Sequence, residues 1–297
     1  MNNKRMIFLF VFLFSIGLVF PSELNKDERL SFYNYTPQEE VRFKQELYWE
    51  NDSVKAIRIV YQGAEKREVP ALFVFPKKMG APFPIIIYYH RAREESKEAA
   101  LSILRLFPDF CVLAIEAPSF KERRTTEGIG KLLTRQGRAM VIKNWVVDGR
   151  YSLDLLPAFS EIDSSRIIVM GGSMGVAPAC ILTAVDERVK GAVLISGGAI
   201  NPARFRRRFS TRLTNDYLRL AYLTAPEEFI EMISPRPLLM INGRKDIIFK
   251  KEQVEELYSR ANEPKKIVWL EKGHNFPLDE VKETIISWLS QAGIVKH

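Results

Sequence analysis

The sequence predicts an α/β architecture: a mostly parallel central sheet of about eight strands, helices on both faces and a small helical insertion. Three observations carry this expectation. Short apolar runs without in-out alternation recur along the chain, as strands covered on both faces require. Stretches with helical patterning separate them. A pair of hairpin-like strands precedes the alternating series.

Bulk properties agree with a single large domain. The chain has 297 residues, 46% of them hydrophobic and 27% charged, enough to bury a substantial core. The formal charge of +8 is moderate, and no nucleic-acid-binding motif accompanies it, so no nucleic-acid partner is expected. Neither metal-ligand spacing nor a dinucleotide glycine loop occurs, so neither metal nor cofactor is expected.

Taken in order, residues 1–22 read as a secretory signal: Lys4 and Arg5, an apolar run from Met6 to Phe20, then Pro21. The expected location is secreted or periplasmic. An uncleaved N-terminal anchor is the alternative, and only then would a membrane be a partner. Residues 23–53, polar and aromatic without clear period, read as an N-terminal arm. From 54 to 297 runs the main domain. Its expected strands are Val54–Tyr61, Arg67–Val74, Pro84–Tyr89, Cys111–Glu116, Arg166–Met170, Gly191–Ile195, Pro237–Asn242 and Lys265–Leu270. Helices are expected over Glu94–Phe107, Thr134–Leu156, Met174–Val185, Lys250–Ala261 and Asp279–Gln291. A lid-like insertion spans about 199–233 and carries Arg204, Arg206, Arg207, Arg208 and Arg212. Those arginines either form a solvated face or meet an acidic surface. Phe205, Phe209, Tyr217 and Tyr222 either line a pocket or pack the insertion down. Cys111 and Cys180 fall in apolar segments and read as two buried free thiols.

The chemistry centres on Gly171-Gly172-Ser173-Met174-Gly175, between an apolar strand and a helix. Gly-x-Ser-x-Gly at such a corner reads as a nucleophile elbow, a tight turn that lifts the Ser173 hydroxyl above the sheet. The same turn aims the Met174 N–H at an oxyanion. A serine hydroxyl needs a base. Of the three histidines, His90 follows the strand PIIIYY and His297 ends the sequence, whereas His274 occupies a loop just past the last strand. His274 is therefore the expected base. Asp246, after the strand PLLMIN, is the expected acid behind it, and Ser173, Asp246, His274 is the chain order this elbow calls for. Glu271 and Asp279 flank His274 too closely to reach it easily. The second oxyanion donor is expected from the loop after PIIIYY, as the backbone N–H of Arg91 or Ala92.

The segments YYHRA, AIEAPSFKERR, IDSSRIIVMGGSMG, SPRPLLMINGRKD and EKGHNFP together resemble the α/β-hydrolase fold. Within it they are most similar to dienelactone-hydrolase-like and acetyl-xylan-esterase-like serine hydrolases, with prolyl-oligopeptidase-type domains as cousins. The resemblance spans about Val54 to Gln291. It implies acyl transfer to Ser173, with Asp246 and His274 as partners, water as final acceptor and a small-molecule or carbohydrate ester as substrate. Two alternatives stand beside it: a peptidase of the prolyl-oligopeptidase type, and a binding protein that keeps the fold without catalysis. Three positions depart from the pattern. Arg91 replaces a glycine at the oxyanion loop, where a positive φ would strain it. Val176 replaces the glycine after the elbow. Glu116 stands where Asp-x-Pro is common, at a position expected to be structural.

Overall fold

The structure, a computed structural model, describes residues 24–37, 42–78, 80–92, 94–118, 120, 123, 134–202 and 215–295. The expected signal segment, the cluster Arg204–Arg212 with Phe205 and Phe209, and His297 lie outside the described residues. Among the described residues no helix is long and apolar enough to cross a membrane.

Nine strands form one sheet, one more than the sequence led us to expect. They are β1 (Phe43–Glu50), β2 (Val54–Gln62), β3 (Glu68–Pro76), β4 (Phe83–Tyr89), β5 (Cys111–Ile115), β6 (Ile162–Gly172), β7 (Val189–Ile195), β8 (Leu238–Gly243) and β9 (Lys265–Leu270). The added strand is β1, inside the segment read as an arm. All of its residues after Phe43 are exposed, so its side chains carry no readable period. Backbone pairing with β2 holds it instead, through a bulge between Leu47 and Trp49.

The helices are α1 (Lys26–Ser31), α2 (Ser96–Leu106), α3 (Arg135–Leu155), α4 (Val176–Val185), α5 (Asn215–Leu223), α6 (Lys251–Arg260) and α7 (Lys282–Gln291). The spatial order of the strands is β1-β2-β3-β5-β4-β6-β7-β8-β9. Pairings up to β3–β5 are antiparallel, and those from β5 to β9 are parallel. The middle strand β4 shows why its segment lacks alternation. Ile85, Ile87 and Tyr89 join one core with Trp145 of α3, Ile181 of α4 and Leu257 of α6. Ile86 and Tyr88 join the other with Ile103 of α2 and Ile285 of α7. Both faces exclude water, so both must be apolar. Cys111 and Cys180 are buried free thiols, and burial pushes the Cys111 thiol up to about 12.

The strand order reverses around β4, with β5 on one side and β6 on the other. Helix α2 covers one face and α3 the opposite face, so the switch point of the sheet lies at the carboxyl ends of β4 and β6.

One buried ion pair ties this framework together. Asp148 of α3 is fully buried, accepts the Ala64 N–H at 2.7 Å, and meets the Arg123 guanidinium at 2.6 Å. Burial raises its carboxyl above the ordinary value, with Arg123 and the Ala64 N–H pulling the other way. Arg123→Ala leaves that carboxylate unpaired, and we expect a loss of about 3–5 kcal/mol at neutral pH. A folded-state acid whose pKa is raised loses stability as pH rises through it. Urea unfolding should therefore show a smaller deficit for the variant in acid than at neutral pH.

Candidate active site

Strand β6 ends in Gly171-Gly172, and Ser173 follows with φ of +50°, in the left-handed region that non-glycine residues seldom occupy. A short 3-10 turn, Ser173–Gly175, then leads directly into α4. The flanking glycines are demanded by contact. A Cβ on Gly175 would come within 2.1 Å of the Tyr89 carbonyl oxygen, and one on Gly171 within 2.4 Å of the Gly175 oxygen. Val176 is accommodated across the turn, because a Cβ on Gly197 would come within 2.5 Å of its Cγ1.

The structure brings Ser173, His274 and Asp246 into one hydrogen-bonded chain. Ser173 Oγ lies 2.8 Å from His274 Nε2, and His274 Nδ1 lies 2.8 Å from Asp246 Oδ2. An ionised carboxylate only accepts, so Nδ1 carries the proton and Nε2 is free to accept the Ser173 hydroxyl. The Asp246 side chain is fully buried, and its other oxygen accepts the N–H groups of Ile248 at 2.7 Å and Phe249 at 3.1 Å. The Phe249 ring stacks on the imidazole at 6.1 Å. Glu271 turns away to pair with Arg244 at 3.0 Å.

Sequence reasoning missed Ser196. It is buried at the end of β7 with φ of +55°, and its hydroxyl donates to the His274 carbonyl at 2.8 Å. That bond pins the His274 loop to the sheet. In the sequence it is one more serine before glycines, and nothing local singles it out.

The loop after β4 corrects one expectation and qualifies another. The Arg91 N–H donates to Glu94 Oε2 at 2.9 Å, so of the two donors considered there only the Ala92 N–H is left for an oxyanion. Arg91 is not among the residues with positive φ, and the strain expected of an arginine at this point does not arise. Its side chain lies over Gly172, where a Cβ would come within 2.9 Å of Arg91 Cγ. There it donates to Asn275 Oδ1 at 3.3 Å, and its guanidinium sits 5.8 Å from the Phe276 ring centre.

His90 is fully buried beneath this loop. Its Nδ1 donates to the Arg91 carbonyl at 2.8 Å. Its Nε2 accepts the Ala117 N–H at 3.2 Å and lies 3.5 Å from Glu116 Oε1. The second carboxylate oxygen of Glu116 accepts from Ser96 Oγ at 2.9 Å and from Ser96 N–H at 3.3 Å. Burial raises the Glu116 carboxyl, but His90 and Ser96 outweigh it and leave it below the ordinary carboxylate value. Within the insertion, Tyr217 of α5 lines a cavity of about 210 Å³ with Arg138, Ile142 and Ile200. No cluster of three or more His, Cys, Asp or Glu among the described residues is arranged to hold a metal ion.

An elbow serine at a sheet switch point, with this topology, defines an α/β-hydrolase-fold protein of the serine hydrolase class. Residues 34–221 match the acetyl xylan esterase (AXE1) family, and the chain belongs to that family. Residues 168–285 also match the serine hydrolase (FSH1) family. YtaP of Bacillus subtilis, named as a hydrolase, is 26% identical over 237 residues, covering 70% of this chain and 75% of the relative. Among solved structures, acetyl xylan esterase 1 from Thermoanaerobacterium superposes with a TM-score of 0.70 at 15% identity, covering 90% of this chain and 93% of that one. An acetyl xylan esterase from Paenibacillus gives 0.68 at 21% identity, covering 89% and 92%. The family is one of serine esterases, and these superpositions show the shared fold.

The elbow leaves no room for a methyl group at residue 175. Gly175→Ala should remove most labelling of Ser173 by a fluorophosphonate probe, because the Tyr89 carbonyl and Ser173 cannot both keep their places. Full labelling of a folded variant would refute this account of the turn.

Proposed function

We propose that the protein hydrolyses a carboxylic ester through an acyl-enzyme formed on Ser173. The observation that carries this reading is the unbroken Ser173–His274–Asp246 chain at a left-handed elbow. Ser173 Oγ attacks the acyl carbon while His274 Nε2 takes its proton. Asp246 holds the imidazole in the tautomer that makes Nε2 basic and stabilises the imidazolium that forms. The Met174 and Ala92 N–H groups receive the oxyanion. Collapse of the tetrahedral intermediate expels the alcohol, which takes the proton from His274. Water then repeats the sequence on the acyl-enzyme and returns Ser173.

A short acyl group, acetate above all, on a carbohydrate or other small alcohol is the substrate class we favour, on the strength of the acetyl xylan esterase family match. We further propose export, on the basic and then apolar pattern of residues 1–22. In this reading residues 54–297, joined by β1 at the sheet edge, form the catalytic domain.

The test is hydrolysis of p-nitrophenyl acetate, butyrate and octanoate. Ser173→Ala and His274→Ala should each lower kcat by about 10⁴-fold or more, and Asp246→Asn by about 10⁴-fold. Acetate should be the preferred chain. A folded wild type that turns over none of these esters would overturn the proposal.

A further inference from the structure

We propose that His90 is a positioning residue that aims the oxyanion-binding N–H of Ala92, an inference that rests on the esterase reading above. The argument is geometric. His90 Nδ1 lies 2.8 Å from the Arg91 carbonyl oxygen, which only accepts, so Nδ1 must carry a proton. Arg91 and Ala92 are joined by a trans peptide, since the cis bonds of the described chain all precede proline. Across a trans peptide C=O and N–H point in opposite directions. Holding the Arg91 oxygen down toward His90 therefore turns the Ala92 N–H up and away, toward the mouth where Ser173 sits.

Behind the ring lies Glu116. Its Oε1 is buried without a hydrogen-bond donor of its own and faces His90 Nε2 at 3.5 Å. His90 Nε2 accepts the Ala117 N–H, so the ring proton stays on Nδ1. Ser96 fixes the other carboxylate oxygen from both its N–H and its hydroxyl. The Trp145 ring lies 5.1 Å from the imidazole. Nearby, Arg123 pairs with Asp148 and also donates to the Glu116 carbonyl at 3.0 Å. The imidazole is thus fully buried among groups from the ends of β4 and β5 and from α3. It acts through the backbone of the next two residues.

A donor that is misaimed costs transition-state stabilisation, not ground-state binding. With p-nitrophenyl acetate, His90→Ala should lower kcat by about 100-fold and move KM by no more than about twofold. His90→Asn places an amide N–H where Nδ1 was and should recover most of that loss. The imidazole 15N resonances of wild-type His90 should show Nδ1 protonated and Nε2 bare. Equal losses in the alanine and asparagine variants, a loss confined to KM, or an unprotonated Nδ1 would each overturn the inference. Wild-type turnover that His90→Ala leaves intact would overturn it while the esterase reading stands. A wild type inert to every ester would instead overturn the esterase reading and this inference with it.

Discussion

The contact between the Tyr89 carbonyl and Gly175 is the constraint on which the site depends. It lets the end of β4 and the first turn before α4 approach more closely than any side chain would allow. Ser173 is thereby pressed into a left-handed conformation and its hydroxyl is raised above the sheet edge. The same closeness sets the loop after β4 beside the serine, so the elbow and the oxyanion loop are positioned by one approach of two backbones. Strain of about 1–3 kcal/mol at such a residue persists because the surrounding packing over-determines it. Here that packing is two fully buried cores, one on each face of the sheet.

The remaining parts of the site hang from the carboxyl ends of β7, β8 and β9. Ser196 at the end of β7 holds the backbone of His274, and Asp246 after β8 holds its ring. A Cβ on Gly243 would come within 2.2 Å of the Gly273 oxygen, so the ends of β8 and of the His274 loop also touch through backbone. Imidazole orientation is therefore determined at both the main chain and Nδ1. Such double restraint keeps His274 Nε2 within hydrogen-bond reach of Ser173 Oγ.

Burial separates the two histidines of the described chain. His274 keeps 11% of its side chain exposed. His90, in a closed box with Glu116 and Trp145, has nothing to exchange with but its neighbours. Identical side chains meet different surroundings, because His274 follows β9 at the sheet edge whereas His90 packs against Trp145 of α3.

The α/β order, the parallel strands and the three residues of the hydrogen-bonded chain were legible in the sequence. Each rests on local chemistry: apolar runs buried on both faces, and glycines flanking a serine at a strand-to-helix corner. Strand β1 was not legible, since an exposed edge strand is held by backbone pairing that leaves no side-chain period. Nor were Ser196 and the His90–Glu116 contact, which join segments 78 and 26 residues apart along the chain. The conformation of Arg91 likewise depended on Gly172, Asn275 and Phe276, which reach it only once β4, β6 and the loop after β9 are side by side. Sequence by itself determined which groups could do chemistry, because that is a property of side chains and their immediate neighbours. How Arg91 lies over Gly172, and what pins the backbone of His274, only the tertiary structure decided, because those are distances between segments that the sheet brings together.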